Sequence, residues 1–303
     1  MQRNNAIKFG IFAAALLTSG LALAQPYGYA VNSDGFRVPD EQIDNLYRIN
    51  LSTGEAEPIG ATGYLDIEGL SFSAEGTLMG ADDESNSLLE IDLFSGAGRA
   101  VGGFNGNLLL PAPQVLDFGL SFTCHSLYAS SDNLSTLYEV DHETGKATLI
   151  GNTAVPITGL AAWGNKLFGI GAGELAPSLY SINPETAETN FIGPLGDAAR
   201  PYVDAGLAFD EDGQLWAITD RRNVGGESFP SQILMINIET GEATDIAETL
   251  FGIEAVAIAP PGGCDPTGPT LPPEPVPALR PSMLAATAFG LLSFGLMRLR
   301  RRR

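Results

Sequence analysis

Between about residue 26 and residue 260 the chain alternates apolar and polar positions in short runs, each ending on Gly, Asn, Asp or Pro. Alternation with period two predicts β-strands that bury one face, and nowhere in this body does the 3.6-residue periodicity of an amphipathic helix appear. Five segments align without gaps: "LYRINLSTG" from Leu46, "LLEIDLFSG" from Leu88, "LYEVDHETG" from Leu137, "LYSINPETA" from Leu179 and "ILMINIETG" from Ile233. Their starts lie 42, 49, 42 and 54 residues apart. Each reads as a strand running into a tight turn. The Asn or Asp at 50, 92, 141, 183 and 237 accepts hydrogen bonds from its own turn, and the following Gly takes a positive φ. One recurring side-chain oxygen per turn is too few for a calcium loop, so these residues are turn formers.

A second pair of strands separates these hairpins: "IEGLSFSAEGTLMGA", "DFGLSFTCHSLYAS", "ITGLAAWGNKLFGI" and "DAGLAFDEDGQLWAI". Each carries a large side chain at Met79, Tyr128, Phe168 or Trp216, a column expected in the core between units. Four antiparallel strands every 40 to 50 residues predict a β-propeller. The last repeat has one inner strand, "GIEAVAIAP", without a neighbour, and "YGYAVNS" near the start of the body is an orphan with Tyr29 in the same column. Joining them gives an all-β fold of five four-stranded blades, closed by pairing the N- and C-terminal strands. Six or more blades and a large sandwich are the alternatives. The repeats resemble those of secreted bacterial propellers of the quinoprotein-dehydrogenase-like and lactonase-like groups, across roughly residues 26 to 260.

With strands a to d counted outward from the axis, a-to-b and c-to-d turns share one face and the other connections share the opposite face. The first face has only tight turns. The second has every long insertion, such as "NSDGFRVPDEQID", "GGFNGNLLLPAPQVLD" and "TDRRNVGGESFPSQ", and is the expected binding face. His125 and His142 both fall in turns of the plain face, which leaves the loop face without a histidine for a Ser-His-Asp or Cys-His arrangement.

Aligning the inner strand starts puts Glu68, Phe118, Thr158, Ala205 and Glu254 in one column at the channel mouth, with Asp66, Asp117 and Asp204 close by. Carboxylates converging there suit a hard cation such as Ca²⁺, and Glu68, Glu254, Asp66, Asp117 and Asp204 are the candidate ligands; a solvated acidic rim is the alternative. The column is similar to the metal-binding one of the lactonase-like propellers, where Glu, Asn and Asp from different inner strands hold a divalent ion. Only the Glu matches, since Phe118, Thr158 and Ala205 stand where further ligands belong.

Charge sharpens the partner classes. The chain has 16 basic and 36 acidic residues, and eight of the basic ones lie at the two ends, so the stretch between carries −28. Such a field repels nucleic acid and favours cations or basic partners. Cys124 and Cys264 are the two cysteines; an oxidising compartment permits a bridge between them, and no CxxC, HExxH or zinc-spaced cluster is present.

The ends predict an address. Residues 1–24 have a basic start, an apolar run and Ala22-Leu23-Ala24, the pattern of a secretory signal peptide. The propeller is expected over 25–260. Residues 261–281 form a proline-rich stalk, and 282–303 form an apolar helix with a terminal arginine cluster. The 16 apolar residues from Ser282 to Met297 barely reach across a bilayer. Stalk motif, short helix and arginines resemble the C-terminal sorting signals of the PEP-CTERM and IPTL-CTERM type of Gram-negative bacteria, with "VPAL" at Val276–Leu279 similar to the IPTL core and "PEP" at Pro273–Pro275 similar to the other class. That resemblance implies transient membrane insertion, an exosortase-like processing enzyme, and delivery to the cell envelope, cell surface or extracellular matrix. The expected function is a non-catalytic module binding a protein, glycan or matrix component through the long-loop face. The alternatives are a metal-dependent hydrolase of lactonase-like or glycosidase-like type, and an inert matrix protein.

Overall fold

The computed structural model describes residues 26–32, 44–104, 118–171, 177–221, 224 and 226–264. Contacts divide the chain into Met1–Cys264 and Asp265–Arg303. The second unit, the expected signal peptide, and the parts of the long insertions at 33–43, 105–117, 172–176, 222–223 and 225 lie outside the described residues. Among the described residues no helix is long and apolar enough to cross a membrane.

The first unit is a five-bladed β-propeller of four-stranded antiparallel blades. Twenty strands are numbered in chain order. The second blade is β4 (Ile67–Phe72), β5 (Leu78–Asp82), β6 (Ser87–Ile91) and β7 (Gly98–Gly103). The third is β8 (Phe118–Phe122), β9 (Leu127–Ser131), β10 (Thr136–Val140) and β11 (Ala147–Asn152). The fourth is β12 (Ile157–Trp163), β13 (Lys166–Gly171), β14 (Ser178–Ile182) and β15 (Thr189–Pro194). The fifth is β16 (Asp204–Phe209), β17 (Leu215–Asp220), β18 (Gln232–Ile236) and β19 (Ala243–Glu248). The first blade takes its inner strand from the end of the body: β20 (Ile253–Ala257) pairs with β1 (Tyr27–Asn32), which is followed by β2 (Asn45–Asn50) and β3 (Ala56–Ala61). Ala30 pairs with Val256 on one side and Tyr47 on the other. The orphan strand of the sequence is thus the second strand of the closing blade.

Alternation along the strands builds one apolar cluster at each blade interface. Tyr29 joins the cluster between the first and second blades, Met79 the next, then Tyr128, Phe168 and Trp216 in turn. The aromatic column is therefore interface core, which non-directional burial of apolar area stabilises. A ring of only five blades brings the inner strands β4, β8, β12, β16 and β20 very close around the axis. At Gly159 an added Cβ would lie 2.4 Å from the Ala205 carbonyl oxygen of the next blade, closer than any side chain permits. The Gly-Leu start of the inner strands is a steric requirement of this tight ring.

The c-to-d turns form as Asx turns. Asp92 accepts the N–H groups of Phe94 and Ser95 and the Ser95 hydroxyl, and Asn237 accepts those of Glu239 and Thr240. These hydrogen bonds, the one from Ser95 foremost, hold the Asp92 carboxyl below the usual range.

On the same tight-turn face the chain leaves β20 across the axis. The space at this end of the channel is lined by the inner strands together with the segment Ile258 to Gly262. The Gly164 N–H donates to the Gly262 carbonyl at 2.7 Å, and the Cys124 N–H donates to the Gly164 carbonyl at 3.2 Å. Cys264 is joined to Cys124 in a disulfide with the Cα atoms 5.6 Å apart. Gly262 and Gly263 lie against the Trp163 ring, which also meets Phe209 at 5.5 Å. The exit segment is a strap over one mouth of the channel, fixed to the third and fourth blades.

Candidate functional site

The opposite mouth is where the inner strands begin. In three blades the column residue sits at a β-bulge. Ile67 pairs with Asp82 and Gly69 with Ala81, which leaves Glu68 as the extra residue; Thr158 and Glu254 are the extra residues in the fourth and first blades. Phe118 and Ala205 sit in unbulged pairs with Ser131 and Thr219. A bulge re-aims the side chain it carries, so the three polar members of the column do not simply converge on the axis. Thr158 shares a 2.6 Å hydrogen bond with the Tyr202 hydroxyl. Glu68 Oε2 accepts the Phe118 N–H of the third blade at 3.3 Å, on the side away from Glu254. Below the column the channel leaves a space of only about 10 Å³ among the glycine and leucine positions of the inner strands.

Of the five carboxylates expected at a cation site, the structure brings two together, Asp66 and Glu68, and adds Asp83 as the third. Each of these offers one oxygen within 4.8 Å of the others. Glu254 and Asp204 are buried in the first and fifth blades and do not join this group, and Asp204 accepts the N–H of its own neighbour Ala205. Asp117 lies outside the described residues.

Asp83 enters through strand register. The pairing of Ile67 with Asp82 sets the end of β5 beside the start of β4, and the Asp83 N–H donates to the Asp66 carbonyl at 2.8 Å. Asp82 accepts the Asp66 N–H at 3.1 Å and the Ser85 N–H at 2.8 Å, which closes the turn "DDESN". In the hairpin "IEGLSFSAEGTLMGADD" counting outward from the Phe72–Leu78 pair places Asp82 opposite Glu68, and the bulge at Glu68 moves Asp82 to Ile67 and Asp83 to Asp66.

A fifth carboxylate comes from the first blade. Asp44 is fully buried; its carbonyl accepts the Thr62 N–H, and its Oδ2 accepts the Ile67 N–H at 2.8 Å, between Asp66 and Glu68. Its other oxygen, Oδ1, is buried with no hydrogen-bond partner among the described residues. Burial pushes the Asp44 carboxyl up to about 8; the Ile67 hydrogen bond opposes this, and the charges of Asp66 and Asp82 add to it.

Both histidines are at the tight-turn end, far in topology from these carboxylates: His125 lies in the β8–β9 turn, and His142, in the β10–β11 turn, sits against Phe122.

No family model matches this chain, and no curated protein matches it. Among solved structures it is similar to a chain of a nidogen/laminin complex, with 12% identity and a TM-score of 0.48 over 75% of this chain and 82% of that one. It is also similar to TolB from Acinetobacter baumannii, with 12% identity and a TM-score of 0.45 over 74% of this chain and 53% of that one. A third similarity is to Kuenenia stuttgartiensis hydrazine synthase, at 11% identity and a TM-score of 0.38, covering 66% and 59%. At these values the likenesses add nothing to what strand order already establishes, a β-propeller.

Proposed function

We propose that this chain is an exported, surface-sorted, non-catalytic binding module that engages a protein, glycan or matrix component through the face of long connections. The observation that carries this reading is the strap: Ile258 to Cys264 covers one channel mouth and ties down the tight-turn face, so the opposite face is the one available for a ligand. Export rests on the signal pattern of residues 1–24. Sorting by an exosortase-like enzyme rests on the stalk and the arginine-ended helix of residues 261–303. The net charge of −28 between the two ends points to cationic or basic ligand groups and away from nucleic acid.

The hydrolase alternative draws on the carboxylate group at Asp66, Glu68 and Asp83. Against it, the channel space below the column is about 10 Å³, far below the roughly 300 Å³ at which small-molecule pockets begin. The test is a glycan-array and matrix-protein binding screen of the purified protein with and without calcium, alongside turnover assays on lactones and aryl glycosides. Saturable binding that is weakened by charge changes in the loops after β1 and β17, and not by changes in the c-to-d turns, is the expected result. Turnover would favour the hydrolase, and an absence of both binding and turnover would leave an inert matrix protein.

A further inference from the structure

Repetition lets each residue near the channel mouth be compared with four internal counterparts. The position of Asp44 is defined by a recurring hydrogen bond, in which the residue before the third strand accepts an N–H from the end of the same blade. Asn86, Ser135, Pro177 and Ser231 do this in the other blades. In the fifth blade Ser231 performs both of Asp44's structural tasks: its carbonyl accepts the Thr249 N–H and its hydroxyl accepts the Ile253 N–H at 2.9 Å. A single neutral oxygen is therefore enough for the fold. Asp44 instead brings a carboxyl group with a surplus buried oxygen, Oδ1, to a place beside Asp66 and Asp82.

The same comparison extends to the whole group. Strand pairing and the aligned inner strands give every blade junction a counterpart of positions 44, 66, 68, 82 and 83. At the junction of the first and second blades all five are acidic; at each of the other four junctions at most one is. Burying carboxylates side by side costs free energy; the fifth blade does so with one cross-strand pair, Asp204 and Asp220, whereas the first junction gathers five. Such a concentration is stable when a cation sits among the oxygens.

We propose that Asp66, Glu68 and Asp83 ligate one divalent cation of calcium's size, at a site off the channel axis, with Asp44 of the neighbouring blade behind it through the Ile67 N–H. The oxygens of Asp66, Glu68 and Asp83 lie within 4.8 Å of one another, a span that one ion bridges with oxygen ligands at about 2.3–2.6 Å. Hard carboxylate oxygens with no sulfur or imidazole suit Ca²⁺, Mg²⁺ or Mn²⁺ better than the softer metals, and the flexible oxygen coordination of Ca²⁺ fits acids drawn from a loop and a strand start. The site joins β4 and the β5–β6 turn of the second blade to the segment entering β2 of the first. The ion thereby stitches the closing blade to its neighbour.

The test uses the purified full-length chain, freed of metal by chelation and titrated with CaCl₂ by calorimetry, with melting curves in CaCl₂ and in chelator. One ion per chain and a rise in Tm of several degrees are expected. Asp83→Asn weakens binding at least tenfold, whereas Glu254→Gln, in the inner-strand column, and Asp204→Asn, beside it, leave it within about twofold. Asp44→Ser copies the Ser231 arrangement and so keeps the fold. It raises Tm in chelator and weakens calcium binding at least tenfold. Absence of calcium binding by the wild-type chain overturns the proposal. So does binding that persists unchanged in both Asp83→Asn and Asp44→Ser, or binding abolished by Glu254→Gln, which would put the ion on the axis.

Discussion

Single residues show where the repeat is rigid and where it yields. Gly145 ends the β10–β11 turn with φ of 75°, and a Cβ placed there would lie 2.4 Å from the Gly102 carbonyl oxygen of the preceding blade. Both the left-handed backbone and the interblade contact demand glycine, so Gly145→Ala is expected to destabilise by roughly 2 kcal/mol or more in chemical denaturation. The fourth blade has Ala187 at the same turn position, buried, with φ of 61°. The neighbouring outer strand stands farther off there. A Cβ on Gly151 would be 3.0 Å from the Thr186 oxygen, against 2.0 Å from the Thr144 oxygen at Gly102. Ala187→Gly should therefore change stability by less than about 1 kcal/mol, because relief of left-handed strain is offset by loss of one buried methyl. Equal losses for the two substitutions would show that this turn position is not read by the adjacent blade.

At the level of strands and turns, closure of the ring was legible because burial has a period. "YGYAVNS" alternates like every other second strand yet has no inner strand just before it in sequence, and "GIEAVAIAP" has no second strand just after it. Ala30 is fully enclosed between β20 and β2, so Ala30→Glu should cost more than about 3 kcal/mol by forcing a charge into the closing blade. Leu149→Glu on the half-exposed outer strand β11 should stay within about 0.5 kcal/mol. Comparable effects would mean that pairing of the chain ends contributes little to stability. The carboxylate group was legible only in part, for two physical reasons. The inner-strand column drew attention to Glu68 and to Asp66 beside it, which the structure sets near each other, but alignment cannot see bulges, and bulges decide where Glu68 and Glu254 aim. Asp83 and Asp44 arrive through hairpin register and through the next blade's loop, both of which are long-range pairings that no local pattern announces.

For the propeller as a whole, the strap converts an open ring end into a closed one. Cys124 and Cys264 are 140 residues apart, so their bridge restricts the unfolded chain strongly, with an entropic ceiling of about 5 kcal/mol. In the folded state the same bridge holds a segment whose other ties are the Gly262 carbonyl on Gly164 and the contact of two glycines with Trp163. These two effects separate experimentally. The Cys124→Ser, Cys264→Ser double variant should lose several kcal/mol in denaturant, and the Gly164 amide, which donates to the strap, should exchange with solvent much faster than the Leu160 and Leu207 amides of the inner strands. Blade pairing does not pass through the strap, so the inner-strand amides should keep their relative protection. If Gly164 stayed as protected as in the wild type, the strap would be held by Trp163 and its backbone bond alone, and the bridge would act only on the unfolded chain. If the inner strands lost protection along with it, the exit segment would be part of the propeller's cooperative core, and the tight-turn face would be closed by the fold itself.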